Sequence, residues 1–247
     1  MTKLWFSIFD FSFDYKSTEP AFVDSESFDW ANDIVANVNE IKEELSSYLI
    51  TNQLQGYFNT SMVSKKNSWR TIALKTWSVQ LFKNQKRFPN TTKILNKYPQ
   101  IISASFNLLE SNSTILPHCG DTNAIYRCHL GLDIPAGLPD CGFRVKNETR
   151  AWVNNKWLIF VDAYEHEAWN NSSKDRYIFL IDVLKDDFRS KKGFVCSTVL
   201  TSLFLQKKAE TYKSMLKFKP TSIKITTIFL RPFARIALYL CNILKIF

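Results

Sequence analysis

Three histidines, His118, His129 and His166, are the only imidazoles in a chain of 247 residues, and all lie between Leu116 and Val183. Their confinement to one segment points to chemistry that needs imidazole, most simply a bound metal. The plainer alternative is a set of ordinary half-buried polar histidines. Two imidazoles with open coordination positions suit Fe(II), which must leave room for a co-substrate and O2. Asp121, Asp162, Glu165 and Glu167 stand close enough in sequence to ligate or to accept an imidazole N–H. Arg127 and Arg176 each open an apolar run that reads as a strand. A guanidinium held at a barrel wall suits bidentate capture of a carboxylate, and His129 on the same strand face as Arg127 adds a hydrogen bond. Taken singly, each arginine reads slightly better as a surface residue. Cys119, Cys128 and Cys141 share the segment, but none has the two-residue spacing of a thiolate zinc site.

These residues need elements to hold them. Residues 126–134 alternate: Tyr126, Cys128, Leu130, Leu132 and Ile134 share one face, and Arg127, His129 and Gly131 share the other. A basic pair beside a glycine suggests a lined pocket with room for a ligand. Residues 101–110 alternate again and lead to a polar loop holding His118. Short strands are expected at 141–147, 151–153, 156–162 and 176–183, which leaves His166 in a loop after the third of these. Upstream, 69–82 reads as two short strands or one bent strand. Residues 1–30 read as an irregular lead-in. The clearest helix is 33–50, with Ile34, Val38, Ile41, Leu45 and Leu49 on one face and Asn32 as its cap. Phe88-Pro89 starts a short helix that must end near Pro99. Short strands joined by turns, without intervening helices, predict an all-β barrel or sandwich rather than βαβ units.

Five cysteines without paired spacing exclude a disulfide framework. The first residues make a poor signal peptide, so a reduced, cytoplasmic protein is expected. The net charge of +9 is unevenly distributed. Residues 189–247 carry 12 Lys/Arg and one acid, Glu210, whereas the first 188 residues carry 20 basic and 22 acidic residues. Basic character therefore belongs to the tail. Residues 194–219 read as helical. From Pro232 an amphipathic helix is expected, with Phe233, Ile236, Ala237, Leu240, Leu244 and Phe247 on one face. Its uncharged run is too short to span a bilayer. The readings are a basic helix at an anionic membrane surface through 220–247, or a helix packed on the domain or in a dimer contact. Nucleic acid is disfavoured, because no binding motif appears and the aromatics sit on the apolar face.

The order His118-x-Gly120-x-Thr122-Asn123, Arg127-x-His129-Leu130-Gly131-Leu132, Cys141-Gly142, Trp152, Phe160 with Asp162, His166-Glu167 and Arg176 resembles the aspartyl/asparaginyl β-hydroxylase family. The resemblance is strong over 110–185 and extends upstream through Trp69, Phe88-Pro89 and Thr91 to Leu108-Leu109-Glu110. It implies a mainly β fold with flanking helices around a double-stranded β-helix, of the jelly-roll or cupin-like kind. It also implies Fe(II), with 2-oxoglutarate and O2 as co-substrates. By that resemblance His118 and His166 are the iron ligands. Arg176 pairs with the distal carboxylate of 2-oxoglutarate, Asn107 helps hold it, and Arg127 and His129 hold its chelating end or the neighbouring substrate.

Gly120 stands where most related oxygenases have a ligating aspartate. In this the site resembles the animal aspartyl/asparaginyl hydroxylases and differs from the bacterial lipid A acyl-chain hydroxylases. The expected substrate is therefore the β-carbon of an Asp or Asn residue in a peptide or protein. A lipid acyl chain or a free amino acid at the membrane is the alternative. Ile125, where the animal members carry an arginine, and Val161, in place of an aspartate, depart from the family pattern. The expected organisation is an N-terminal flank at 1–100, an oxygenase core at 101–188 and a basic helical tail at 189–247. A location in the cytoplasm, peripheral to the inner face of the membrane, follows from the tail. The competing reading of another class is an inactive oxygenase fold serving as a membrane-recruited scaffold.

Overall fold

The alternation at 101–109 and 176–184 folds into two long strands whose two faces do different work. The computed structural model describes residues 3–10, 15–212 and 220–247. The chain runs through β1 (Phe22–Val23), α1 (Asp29–Ala36), α2 (Val38–Thr51), β2 (Gln55–Gly56), β3 (Trp69–Thr76), β4 (Val79–Gln80), α3 (Phe82–Gln85) and α4 (Pro89–Asn96). The barrel strands follow: β5 (Ile101–Leu109), β6 (Ser113–His118), β7 (Ile125–Asp133), β8 (Cys141–Val145), β9 (Glu148–Arg150), β10 (Trp157–Phe160), β11 (His166–Asn170) and β12 (Arg176–Leu184). Two helices close the chain, α5 (Lys192–Thr211) and α6 (Pro220–Ile243).

One sheet has the order β1-β10-β7-β12-β5-β3-β2, with β4 paired to β3, and the other has the order β6-β11-β8-β9. All named pairs are antiparallel. From β5 to β8 the chain changes sheet at every strand, and it does so again from β10 to β12, which makes a double-stranded β-helix flanked by helices, as expected. Phe106, Cys128, Leu130, Phe179 and Ile181 leave the larger sheet on its outer face and pack with Ile34, Ile41 and Leu45 of α1 and α2. The inner face contributes Leu109 and Ile178, which meet Ile115, Phe143, Val145 and Phe160 inside the barrel. A third cluster joins α5 through Val195, Cys196 and Val199 to Phe6, Trp77, Ile102 and Ile125.

Several local expectations are corrected. The helix expected at 33–50 is two helices broken at Asn37, whose side-chain amide donates to the Asp33 carbonyl at 2.7 Å. Phe28, not Asn32, precedes the first turn. The pair of strands at 69–82 is a hairpin, turned by Trp77 and Ser78 at φ 44° and 69°. The strand expected at 151–153 lies at β9 instead. The helix expected from Pro232 runs from Pro220, with Pro232 inside it. Of the helical reading at 194–219, residues 213–219 lie outside the described residues, as do 1–2 and 11–14 of the lead-in.

Candidate active site

The two histidines expected in loops are both on strands. His118 ends β6 and His166 begins β11, and the two are directly opposed across the ladder. Pro117 precedes His118 without breaking a ladder, because β6 is an edge strand bonded to β11 alone within its sheet. The ring centroids are 4.2 Å apart. Each Nδ1 is bonded to the backbone carbonyl two residues earlier: His118 to Leu116 at 2.7 Å and His166 to Tyr164 at 2.8 Å. A carbonyl only accepts, so each Nδ1 carries the proton and each Nε2 keeps its lone pair. Burial pushes the His118 imidazole down to about 4 and holds His166 well below its ordinary value. For His166 the neighbouring His118 adds to the effect. Both rings are neutral at physiological pH, the form that ligates metal. Among the described residues no group of three or more His, Cys, Asp or Glu side chains is arranged to hold a metal. The donors that these residues could offer a metal are the two Nε2 lone pairs.

Gly120 explains why no carboxylate follows His118 at the usual place. A Cβ at residue 120 would overlap the Asp162 carboxylate and lie 2.7 Å from the Asp162 carbonyl oxygen. The Gly120 N–H donates to that same carbonyl at 2.8 Å. Asp162 is wholly buried, and its Oδ1 lies 3.7 Å from His166 Nε2. Arg127 NH1 reaches Asp162 Oδ1 at 2.7 Å, while its Nε and NH2 form a fork to Asp182 at 2.8 and 3.1 Å. Burial raises the Asp162 carboxyl to about 7. Arg127 opposes the rise only in part because Asp182 shares its charge, and Asp182 and Asp121 also repel. Burial likewise raises Asp121 to about 6, again against Arg127. Ser202 and Gln206 of α5 donate to it at 3.3 and 3.4 Å.

Arg176 and His129 form a second cluster inside the barrel. Arg176 is 1% exposed, its Cζ lies 4.4 Å from the centre of the Trp152 ring, and its Nε has no hydrogen-bond partner. Among the described residues no carboxylate pairs with it. Burial pulls its guanidinium down to about 10. The Trp152 indole N–H donates to His129 Nδ1 at 3.3 Å, which assigns the ring proton to His129 Nε2, and that buried atom is also unpartnered. His129 is held far below its ordinary value by burial and by the two arginines. Trp152 thus lies beside two orphaned donors, a pattern complementary to a carboxylate.

The remaining expected residues fall nearby with their bonds in use. Asn107 shares the inner face of β5 with Leu109, the partner of Arg176. Its amide accepts from Trp69 Nε1 at 3.1 Å and donates to Ser105 Oγ at 2.9 Å. The room expected beside Gly131 is filled by the Val153 carbonyl, and Gly131 donates to Lys156 while accepting from Asn155. Asp182 was not anticipated as a site residue. A lone carboxylate in the apolar run Tyr177–Leu184 is the signal that reveals it, because such a group requires a buried cation. A cavity of about 1200 Å³ begins at His118, Gly120, Asp121 and Arg127. It runs over the inner face of β3 and β5 to Leu203 and Ala209 of α5 and Ile223 of α6.

Residues 35–186 match the family described as aspartyl/asparaginyl beta-hydroxylase. An ornithine lipid ester-linked acyl 2-hydroxylase of Rhizobium tropici is 33% identical over 175 residues, 69% of this chain and 62% of that protein. The human aspartyl/asparaginyl beta-hydroxylase is 38% identical over 103 residues, 40% of this chain and 13% of that protein. The chain therefore spans less than two thirds of the length of both relatives. Among solved structures, a Cupin 2 conserved barrel domain protein from Salinispora arenicola aligns with 58% of this chain and 98% of its own, at a TM-score of 0.34 and 7% identity. The family match takes in α2, strands β2 to β12 and His118, Asp121, Arg127, His129, Asp162, His166, Arg176 and Asp182, and the chain belongs to the aspartyl/asparaginyl β-hydroxylase family.

Proposed function

We propose that the chain is an Fe(II)- and 2-oxoglutarate-dependent hydroxylase of an unactivated C–H bond. The observation that carries this reading is Arg176, a buried guanidinium without an anion, in the same barrel as two neutral imidazoles with free Nε2 lone pairs. A buried charge left unpaired is destabilising by several kcal/mol, roughly 3–5 when a partner is removed. Such a group is retained where an anionic ligand completes it. His118 and His166 would hold the iron through Nε2. Arg176 would pair with the distal carboxylate of 2-oxoglutarate, with His129 Nε2–H as a further donor. When bound, the metal and co-substrate would supply the oxidising chemistry, with O2 consumed and 2-oxoglutarate converted to succinate and CO2. The chain's own part is to keep the imidazoles neutral, to orient them through the Leu116 and Tyr164 carbonyls, and to exclude water with Phe143, Phe160 and Trp152.

Gly120 points to an aspartyl or asparaginyl side chain as substrate, and the cavity favours an acyl chain. Arg127, whose charge acts on both histidines, is already ion-paired with Asp162 and hydrogen-bonded to Asp182, and Asp121 lies close enough to feel it. Arg127 therefore has no free charge with which to hold a substrate carboxylate at that end of the cavity. Its far end offers Leu203, Ala209 and Ile223. We take an acyl chain as the substrate class and the peptide side chain as the second reading.

The test is an anaerobic titration of the purified protein with Fe(II) and 2-oxoglutarate, read by the visible metal-to-ligand charge-transfer band. The band should appear in the wild type and vanish in His166→Ala. In Arg176→Met it should require much more 2-oxoglutarate. A folded wild-type protein that gives no band would sink the hydroxylase reading.

A further inference from the structure

We propose that α6 seats the protein on the surface of an anionic lipid bilayer, with its cavity open toward the acyl chains of that bilayer. The helix is built the wrong way round for a helix that only covers a domain. Its packed face sets polar and small residues beside Ile223 and Leu238. Asn242 accepts from the Gln80 N–H at 2.9 Å and donates to the Ser78 carbonyl at 2.8 Å. Thr227 is wholly buried, and Arg231 lies over the Phe194 ring at 4.2 Å. These anchors fix the roll of the helix about its axis. The opposite face is apolar and open: Ile225 is 68% exposed, Phe229 68%, Phe233 59%, Ile236 58% and Leu244 64%. Of the two readings of the tail, the outward-pointing apolar residues disfavour packing of that stripe on the domain.

Charge selects the occupant. Residues 220–247 contain Lys224, Arg231, Arg235 and Lys245 and no Asp or Glu. A second copy seated on this face through its own α6 would supply no carboxylate for Lys224 and Arg235, which are exposed cations of the helix. An anionic bilayer offers both what the apolar side chains require and the opposite charge. Among the described residues no helix is long and apolar enough to cross a membrane, so α6 lies in the interface plane. The helix also belongs to the site. Ile223 and Thr226 of α6 line the same cavity as His118 and Arg127, so the element that would meet lipid is a wall of the space that would receive a chain. The delivery of that chain rests on the hydroxylase reading, whereas the docking stands without it.

The experiment is co-sedimentation of metal-free full-length protein with vesicles of phosphatidylcholine, alone or with about one third phosphatidylglycerol. It compares wild type with Phe229→Ser/Phe233→Ser/Ile236→Ser. All three side chains are exposed, so the variant should fold, and circular dichroism checks this. Wild type should partition to the anionic vesicles at least about tenfold more strongly than to the neutral ones. The triple variant should lose about tenfold or more of that binding. Equal binding by variant and wild type would overturn the proposal. So would light scattering that finds a wild-type dimer and a monomeric variant. Loss of vesicle binding with an intact charge-transfer band removes the membrane surface alone. Vesicle binding without the band removes the hydroxylase reading alone.

Discussion

Replacing Arg176 by methionine should make the ligand-free protein more stable while making it indifferent to 2-oxoglutarate. Most core substitutions destabilise, so the sign is informative. Burial lowers the Arg176 guanidinium from its ordinary value to about 10, which corresponds to about 3 kcal/mol of unfavourable burial of the charge. At 1% exposure, screening by solvent does not reduce this figure. Methionine keeps the apolar stem but gives up the stacking on Trp152, worth about 1–2 kcal/mol in a desolvated site. The net expectation is a gain of about 1 kcal/mol, or about 2–4 °C in Tm for a chain of this length. In wild type, 2-oxoglutarate at a hundred times its Kd should add about 3 kcal/mol. In Arg176→Met the same concentration should add less than about a fifth of that. Denaturant unfolding of dialysed, metal-free protein, followed by the same measurement with metal and 2-oxoglutarate, reads both effects. A variant less stable than wild type by more than about 1 kcal/mol, yet stabilised equally by 2-oxoglutarate, would refute the assignment of Arg176 as an anion receptor.

Gly120→Ala should destabilise the protein by about 3 kcal/mol or more, because the new Cβ forces the Asp162 carboxylate away from Arg127 and leaves a buried pair half broken. A loss below about 1 kcal/mol in denaturant unfolding would show that this loop is not packed as described. The low pKa of His118, about 4, predicts that Co(II) binding to the histidine pair stays nearly constant from neutral pH down to about pH 5 and weakens below it. Binding that falls with a midpoint near 6.5 would contradict a His118 imidazole held neutral by its surroundings. The same displacement fixes a sign for stability. Between about 4 and 6.5 the unfolded chain takes up protons that the folded His118 refuses, so metal-free protein should lose stability as pH falls through that window.

The sequence revealed what depends on local periodicity. Ile34, Val38, Ile41 and Leu45 recur at helical spacing and are buried, and the alternation along 126–133 correctly separates Cys128 and Leu130 from Arg127 and His129. It did not reveal what depends on pairing between distant segments. His118 and His166 looked like loop residues because β6 and β11 are short, and Pro117 within β6 argues locally against a strand. Their opposition exists only through the ladder. Asp182 and Asp162 could be read as isolated carboxylates, but the fork from Arg127 that joins them spans three separate stretches of chain. The apolar stripe of α6 was legible as a stripe. Its outward direction was not, because the roll of the helix is set by Asn242 against Gln80 and Ser78, more than 160 positions away.

The direct opposition of His118 and His166 has a consequence for how such a protein can change over evolutionary time. Their separation is fixed by the register between two strands and not by the length of chain between them. The turns at 134–140 and 171–175 lie away from that pair, so insertions there can reshape what approaches the barrel while the imidazoles stay in place. A slip of one residue between β6 and β11 would turn one histidine to the opposite face and dismantle the pair at once. Diversity of partners and constancy of chemistry are thus assigned to different parts of the same barrel.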